Sequence, residues 1–249
     1  MTDRVTIPLN QRLGSSLQAM SMSFELDLTQ NTEPGAARLV RLQEALRRVS
    51  VLYEYEILVS FQELSPWHRS GSESYLASAA IEVVPPTGGI ECRSFVAKAI
   101  VSWTPDISRR VEQLCNRYHT LESLGVHIPI LYSADRGVIY QGLIPCALTY
   151  DAMVKSPPLL AEFSEIAATL DFLGAHPTNF VRDLMTDHQH VYYVDVGEDL
   201  GELGGEPCEC AKDQMIAFVG PDVGNSCEEV YLRRKWHLTS ALPHHQRRK

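Results

Sequence analysis

Between residues 53 and 103 the chain contains three strand-like segments in succession, and any fold must pair their backbones in a sheet. The segments are rich in apolar and aromatic residues, and the stretch PPTGG between the last two is typical of a turn. The predicted strands are YEYEILVSF at 53–61, SYLASAAIEVV at 74–84 and SFVAKAIVSW at 94–103, with a polar loop at 63–73.

Helical and short strand patterns alternate in the sequence that follows. Residues 104–125 carry apolar side chains at helical spacing, and Gly125 is typical of a helix end. Strands and one helix come first, and helices and short hairpins predominate after about residue 145. This order predicts an α+β fold of two unequal lobes with an extended connection near Gln141–Ala147. The further predicted strands are 128–132, 137–141, 179–182 and 190–196, and the further helices are 158–172 and the sequence KDQMIAFV.

The N-terminal part of the chain differs from the rest in its pattern. Residues 1–33 are polar with few periodic signals, which predicts an irregular arm. The sequence PGAARLVRLQEALRRVS has apolar residues at three- and four-residue steps and predicts an amphipathic helix. We therefore divide the chain into an N-terminal extension at 1–50, a sheet lobe at 51–145 and a small, mostly helical lobe at 146–249.

Charge and cysteine content limit the classes of function. The formal net charge of −9 disfavours general nucleic-acid binding, because phosphates repel an acidic protein. No apolar stretch approaches the ~18 residues of a membrane span, no signal peptide is evident, and six thinly spread cysteines suit a reducing compartment, so we expect a cytoplasmic protein. The acidic run 198–229 and the basic run 230–249 are expected to form a solvated loop and a frayed tail.

Four residues have the types and positions that ATP chemistry requires. A triphosphate needs fixed cations to bind it. Lys98 lies in the middle of a predicted strand, where a lysine is unfavourable unless it faces a cleft. Glu112, on the following helix, is placed to hold that lysine. Asn179 and Asp195 flank a predicted hairpin and carry the oxygen ligands that magnesium prefers.

The motifs around these residues resemble those of the protein-kinase-like superfamily, and most of all its aminoglycoside-phosphotransferase-type branch. FVAKAI is similar to the strand of the phosphate-binding lysine, AHPTNF to the catalytic-loop segment L-H-P-x-N, and VDVG to the D-F-G metal motif. The run from EQLCNRYHTLESLG to YQGLIP resembles the passage from the helix glutamate to the hinge. The resemblance covers roughly residues 53–218.

The resemblance implies a minimal bilobal kinase-like fold, with an antiparallel sheet in the N-lobe and a small, mostly helical C-lobe. It implies that Lys98 binds the α- and β-phosphates and that Glu112 pairs with it. It further implies that Asn179 and Asp195 hold Mg²⁺. Backbone groups from Gln141 to Ile144, among them those of Leu143, would bind the adenine of ATP.

Three departures from the family pattern bear on catalysis. Gly174 stands where the family has its catalytic aspartate, five residues before Asn179. The nearest candidates for a catalytic group are Asp171 and His176. The loop between the first two strands lacks G-x-G-x-x-G, and only a short segment follows the VDVG motif, which ends at Gly197.

These observations predict an ATP- and Mg²⁺-dependent phosphotransferase, a kinase acting on a hydroxyl of a small molecule or peptide. A cationic acceptor would suit the acidic run, and residues 1–50 offer a surface for a partner protein. Two alternatives stay open, because losing a general base removes ~10²–10⁴-fold of rate rather than all of it. One is a catalytically weak nucleotide-binding interaction module, similar to a pseudokinase, and the other is a kinase-like fold that transfers AMP.

Each of these residues also has a purely structural interpretation. Lys98 would be a charge on an edge strand that prevents aggregation. Glu112 would face solvent on its helix, and Asp171 would face solvent at the end of its helix. Asn179 would cap its turn, Asp195 would form a turn, and His176 would orient neighbours through hydrogen bonds. The C-x-C pair Cys208 and Cys210, with Cys227 and His237 downstream, predicts a zinc site only weakly, because the chain has no partner pair at recognised spacing.

Overall fold

The computed structural model describes residues 57–70, 74–100, 107–135, 138–197, 200 and 203–241. The predicted N-terminal arm and the helix at 34–50 lie outside the described residues. The chain divides into two compact units. The first comprises Met1–Gln113 and Ile130–Leu143, and the second comprises Leu114–Pro129 and Ile144–Lys249.

The first unit contains a five-stranded antiparallel sheet. Its strand order is β1-β2-β3-β5-β4, so β3 lies at the centre and pairs with β2 on one side and β5 on the other. The antiparallel pairing agrees with the sequence prediction. The strands are β1 (Ile57–Ser70), β2 (Ser74–Val84), β3 (Glu91–Ile100), β4 (Leu131–Asp135) and β5 (Val138–Gly142).

Burial in this sheet follows the two-residue period of a strand. On β2 every second residue from Ala77 to Val83 is buried, and on β3 Phe95 and Ala97 are buried. Lys98 belongs to the opposite face of β3 and is half-buried. This alternation of buried residues assigns the face on which Lys98 lies.

The second unit contains most of the helices and a small antiparallel sheet of order β6-β7-β8. The first helix, α1, begins in the first unit and ends in the second. In the described part of the chain, no helix combines the length and hydrophobicity that crossing a bilayer would require. The elements are α1 (Ile107–Ser123), β6 (Cys146–Ala147), α2 (Tyr150–Val154), α3 (Pro157–Phe172), β7 (Leu184–Thr186), β8 (Val191–Tyr193), α4 (Cys210–Val219) and α5 (Pro221–Ala241).

Helix α3 forms the centre of the second unit's core. Residues 166–171 of this helix are all buried, and α3 packs against both α4 and α5. The ring of Phe163 on α3 stacks on Phe180 at a centroid distance of 5.4 Å. A helix that is apolar on nearly every side is suited to such a central position.

Three local predictions are wrong. The predicted loop at 63–73 is strand as far as Ser70, because β1 pairs with β2 along its whole length despite its polar residues. The predicted strand at 179–182 is a turn, and the strand β7 begins at Leu184. The acidic loop and basic tail are replaced from Pro221 to Ala241 by helix α5.

Helix α5 forms in a segment rich in charged residues because one of its faces is buried. Cys227 and Tyr231 are four residues apart and both are fully buried, and Leu238 continues the same buried face two turns later. Burial of this face stabilises the helix, while its charged residues remain at the surface. The chain is therefore a mixed α/β protein with antiparallel sheets and five helices among its described residues, which is compatible with the predicted α+β class.

Candidate functional site

Lys98 and Glu112 both belong to the first unit. Lys98 lies on the central strand β3, where its register partners are Leu76 on β2 and Ile139 on β5. Glu112 lies on α1, the helix that follows β3, and is exposed. The two residues occupy the kinds of element that the sequence predicted, and the ion pair between them stays a prediction.

The segment expected to bind adenine lies at the end of β5. Gln141 is buried and pairs in register with Val96. The N–H of Leu143 donates to the carbonyl of Ser94 at 3.0 Å, and the N–H of Gly142 donates to the carbonyl of Ile130 at 2.8 Å. Because both donors are used within the first unit, hydrogen bonds to adenine in this segment would have to involve other backbone groups.

Asn179 and Asp195 lie on either side of the hairpin formed by β7 and β8 in the second unit. Asn179 is exposed, and its carbonyl accepts the N–H of Arg182 at 2.9 Å, so it begins the turn that leads into β7. The N–H of Val194 donates to the carbonyl of Asp183 at 2.9 Å and fixes the chain just before Asp195. The hairpin therefore gives both predicted metal ligands a defined backbone position.

The segment after β8 is held by residues of α1 that lie in the same unit. Arg117 donates to the carbonyl of Gly197 at 2.6 Å. Val196, which stands where the resemblance has phenylalanine, is 1% exposed and belongs to the core. Burial raises the pKa of Tyr118, and the negative charge of nearby Asp195 adds to the rise. The half-buried Asp195 is thus anchored on both sides of its position in the chain.

Gly174 has a backbone geometry that excludes an aspartate. Its φ of 66° is in the left-handed region, which residues other than glycine rarely adopt. A Cβ atom on this residue would lie 2.6 Å from the carbonyl oxygen of Glu206 and 2.7 Å from the carbonyl carbon of Gly205. The backbone of residues 205–206 therefore fills the space in which a side chain at the family's catalytic position would begin.

Asp171 is an anchor for helix α4. Its Oδ1 accepts the N–H of Ala211 at 2.8 Å and the thiol of Cys208 at 3.3 Å, and its Oδ2 accepts the N–H of Lys212 at 3.0 Å and the hydroxyl of Tyr231 at 2.9 Å. The side chain is 0% exposed, so the alternative of a solvent-facing helix end is wrong. Four donors occupy the four acceptor sites of a carboxylate. This arrangement does not support the predicted role of Asp171 as a base.

His176, the other predicted catalytic residue, lies beside two cysteines. Its Nδ1 is 2.9 Å from Sγ of Cys210, and the ligand atoms of His176, Cys208 and Cys210 all lie within 4.8 Å of one another. Burial raises the pKa of the Cys208 thiol to about 12; the N–H of Cys210 opposes the rise and the charge of Asp171 adds to it. The single S–H of Cys208 is shared between Asp171 and the carbonyl of Ala175, which lies 3.1 Å from Sγ.

Gln214 fastens the loop between α3 and β7 to helix α4. Its amide nitrogen donates to the carbonyl of Pro177 at 2.6 Å, and its amide oxygen accepts the N–H of Phe180 at 2.8 Å. This loop carries both His176 and Asn179. Sequence reasoning missed Gln214, because a glutamine on a helix carries no signal of what it contacts 34 residues away.

A second cluster contains His127, Glu162 and His190. Their ligand atoms lie within 4.8 Å of one another, and the two imidazole rings are 4.4 Å apart between centroids. Oε1 of Glu162 lies 2.8 Å from Nδ1 of His190, and Oε2 accepts the N–H of Val191 at 2.7 Å. The hydrogen bond to Glu162 raises the pKa of His190. The sequence analysis singled out none of these residues.

The structure thus brings Asp171, His176, Cys208 and Cys210 together inside the second unit, with His237 and Cys227 outside the group. Lys98, Glu112 and residues 141–143 of the predicted adenine segment belong to the first unit. Ile144 and the predicted magnesium ligands belong to the second. No protein-family model matches the chain, and no curated protein is significantly similar to it.

Proposed function

We propose that the protein binds ATP with Mg²⁺ through a kinase-like bilobal fold and transfers phosphate weakly or not at all. The order of elements supports binding, because Lys98, Glu112, Asn179 and Asp195 each lie on the kind of element that the resemblance assigns to them. Lys98 is on the central strand of an antiparallel sheet, and α1 with Glu112 follows that strand. Asn179 and Asp195 supply an amide and a carboxylate oxygen for the metal ion.

The observation that carries the low catalytic power is the closed space at Gly174. A base at this position would take the proton from an acceptor hydroxyl. The backbone of residues 205–206 occupies that space, and the nearest upstream carboxylate, Asp171, is saturated by four donors. The protein would therefore act mainly through the nucleotide-bound conformation that it presents to a partner.

A phosphotransferase acting on a hydroxyl is the second candidate, and the exposure of His176 favours it. This imidazole lies on the same loop as Asn179 and three residues before it, where it can receive a proton from an acceptor. The absence of a carboxylate at position 174 lowers the rate of phosphoryl transfer without forbidding it, since alignment and charge neutralisation supply most of the acceleration. Transfer of AMP instead of phosphate is the remaining outcome.

Thermal unfolding in the presence of ATP and Mg²⁺ tests the binding proposal. A ligand at about 1,000 times its dissociation constant stabilises the folded state by about 4 kcal/mol, which raises Tm by several degrees. Lys98→Met and Asp195→Asn should abolish the rise, while Lys155→Met and Asp213→Asn, at exposed positions, should retain it. An unchanged Tm for the wild-type protein would refute nucleotide binding.

Mass spectrometry of reactions with candidate acceptors then separates the functions. Acceptors that gain neither phosphate nor AMP, together with a clear rise in Tm, support the binding module. Phosphate transfer that His176→Ala removes without loss of the rise in Tm supports the enzyme. A gain of AMP by the acceptor identifies the adenylyl transferase.

A further inference from the structure

We propose that His176, Cys208 and Cys210 form a metal site for Zn²⁺ or another cation that prefers sulfur and imidazole ligands. This site is distinct from the proposed magnesium ligands Asn179 and Asp195. The C-x-C pair is visible in the sequence, and the fold adds the imidazole from the loop after α3.

The donor atoms are of the right kind and are nearly in position. Thiolate sulfur and imidazole nitrogen are the characteristic ligands of zinc, with metal distances of ~2.3 and ~2.0–2.1 Å. In a tetrahedral site these lengths put two ligand atoms about 3.5–3.8 Å apart. The three atoms lie within 4.8 Å of one another, and Nδ1 of His176 is 2.9 Å from Sγ of Cys210. Side-chain rotations that move these atoms by about an ångström bring their separations to those of a tetrahedral site.

The surroundings attract a cation. The Asp171 carboxylate lies 3.3 Å from Sγ of Cys208, and two thiolates add further negative charge when a metal displaces their protons. The positive charge of Lys235 opposes this attraction, since its ammonium group donates to the carbonyl of Cys208 at 3.0 Å. When a metal displaces the proton of Cys208, Asp171 keeps the donors of Ala211, Lys212 and Tyr231, so it acts as a fixed charge behind the site and not as a fourth ligand.

The ligands also come from two segments that other contacts already hold together. Cys210 is the first residue of α4, and His176 belongs to the loop that Gln214 fastens to the same helix. All six cysteines of the protein are free thiols, so no disulfide competes for this pair. Three protein ligands leave the fourth position for water or an external ligand, as in zinc sites that keep an open position.

Cobalt titration of the full-length reduced protein tests the site. Co²⁺ should bind at one equivalent with the charge-transfer absorption of thiolate ligands, and one equivalent of Zn²⁺ should abolish that absorption. Cys210→Ser and His176→Ala should each weaken binding by more than the ~10–100-fold that losing an outer-shell partner costs. Cys146→Ser is the matched control, because Cys146 pairs with His188 at 3.4 Å elsewhere in the same unit and should not affect the spectrum.

A second measurement needs no variant and remains decisive if a substitution prevents folding. In the wild-type protein one equivalent of Zn²⁺ should slow alkylation of Cys208 and Cys210 and leave that of the exposed Cys92 unchanged, as peptide mapping by mass spectrometry would show. The proposal is overturned if wild-type protein takes up no stoichiometric metal, if Cys210→Ser leaves the cobalt spectrum intact, or if Zn²⁺ fails to protect these two thiols. None of these outcomes depends on ATP binding.

Discussion

The carboxylate of Asp171 accepts a hydrogen bond of 2.9 Å from the hydroxyl of Tyr231, sixty residues further along the chain, and neither side chain is exposed to solvent. The same carboxylate accepts the first free N–H groups of α4, whose own N-cap residue, Glu209, makes no side-chain capping bond. A negative charge at a helix N-terminus is favourable for both its hydrogen bonds and the helix dipole. Asp171 therefore connects α3, α4 and α5 in one core.

Removing this carboxylate should destabilise the second unit strongly. Asp171→Ala leaves buried donors of Ala211, Lys212 and Tyr231 without an acceptor, which we expect to cost about 3 kcal/mol or more in the free energy of unfolding. Tyr231→Phe should cost about 1–2 kcal/mol, because only one of the bonds is lost. Urea unfolding measures both. The exposed Asp213→Ala on α4 is the control, and an equal loss there would contradict the anchoring role.

A side chain at Gly174 should destabilise the fold without creating activity. The left-handed φ alone costs about 1–2 kcal/mol, and the contact of a new Cβ with the backbone of Gly205 and Glu206 adds to that. Gly204→Ala separates the two effects, since Gly204 has a φ of 93° and no atom within 4 Å of an added Cβ. Chemical denaturation should show a larger loss for Gly174→Ala than for Gly204→Ala. Phosphoryl transfer by a stable Gly174→Asp protein, above that of the wild-type protein, would refute this account.

Loss of Gln214 should loosen the loop that carries His176 and Asn179. Gln214→Ala leaves the carbonyl of Pro177 and the N–H of Phe180 unpaired in a half-buried setting, at a cost of about 1–3 kcal/mol. Hydrogen exchange should accelerate at the amide of Phe180. Gln189→Ala, at an exposed position, should leave that amide protected, and equal protection in both variants would argue against the fastening role.

The bond between His190 and Glu162 should make stability depend on pH. The pKa of His190 is raised above its ordinary value of 6.5, so the folded protein binds this proton more tightly than the unfolded chain. The resulting stability is fully present below about pH 6.5 and is lost as the pH rises through the higher folded-state pKa. Glu162→Gln should therefore lower Tm more at about pH 6 than at about pH 8.5. Thermal scans of this variant and of the exposed Glu165→Gln control provide the comparison, and a deficit independent of pH would count against the assignment.

Elements with a strong local pattern could be predicted closely from the sequence. The second strand has the predicted limits, Ser74–Val84, and α3 begins one residue before the predicted 158 and ends at the predicted 172. Alternation of apolar residues, turn formers and the helix-starting Pro157 are signals carried by neighbouring residues. Helix α5 escaped prediction because its buried residues are sparse and its charges dominate the composition.

The sequence alone determined strands β1 to β5, helices α1, α3 and α4, and the positions of Lys98, Glu112, Asn179 and Asp195 along the chain, since periodicity and turn chemistry are local properties. The tertiary structure decided what Asp171, Gly174 and His176 can do. A carboxylate becomes an anchor or a base according to the donors that surround it, and those donors come from segments 37 to 60 residues away. The meeting of His176 with Cys210 likewise depends on how α4 packs against α3, which no local pattern encodes.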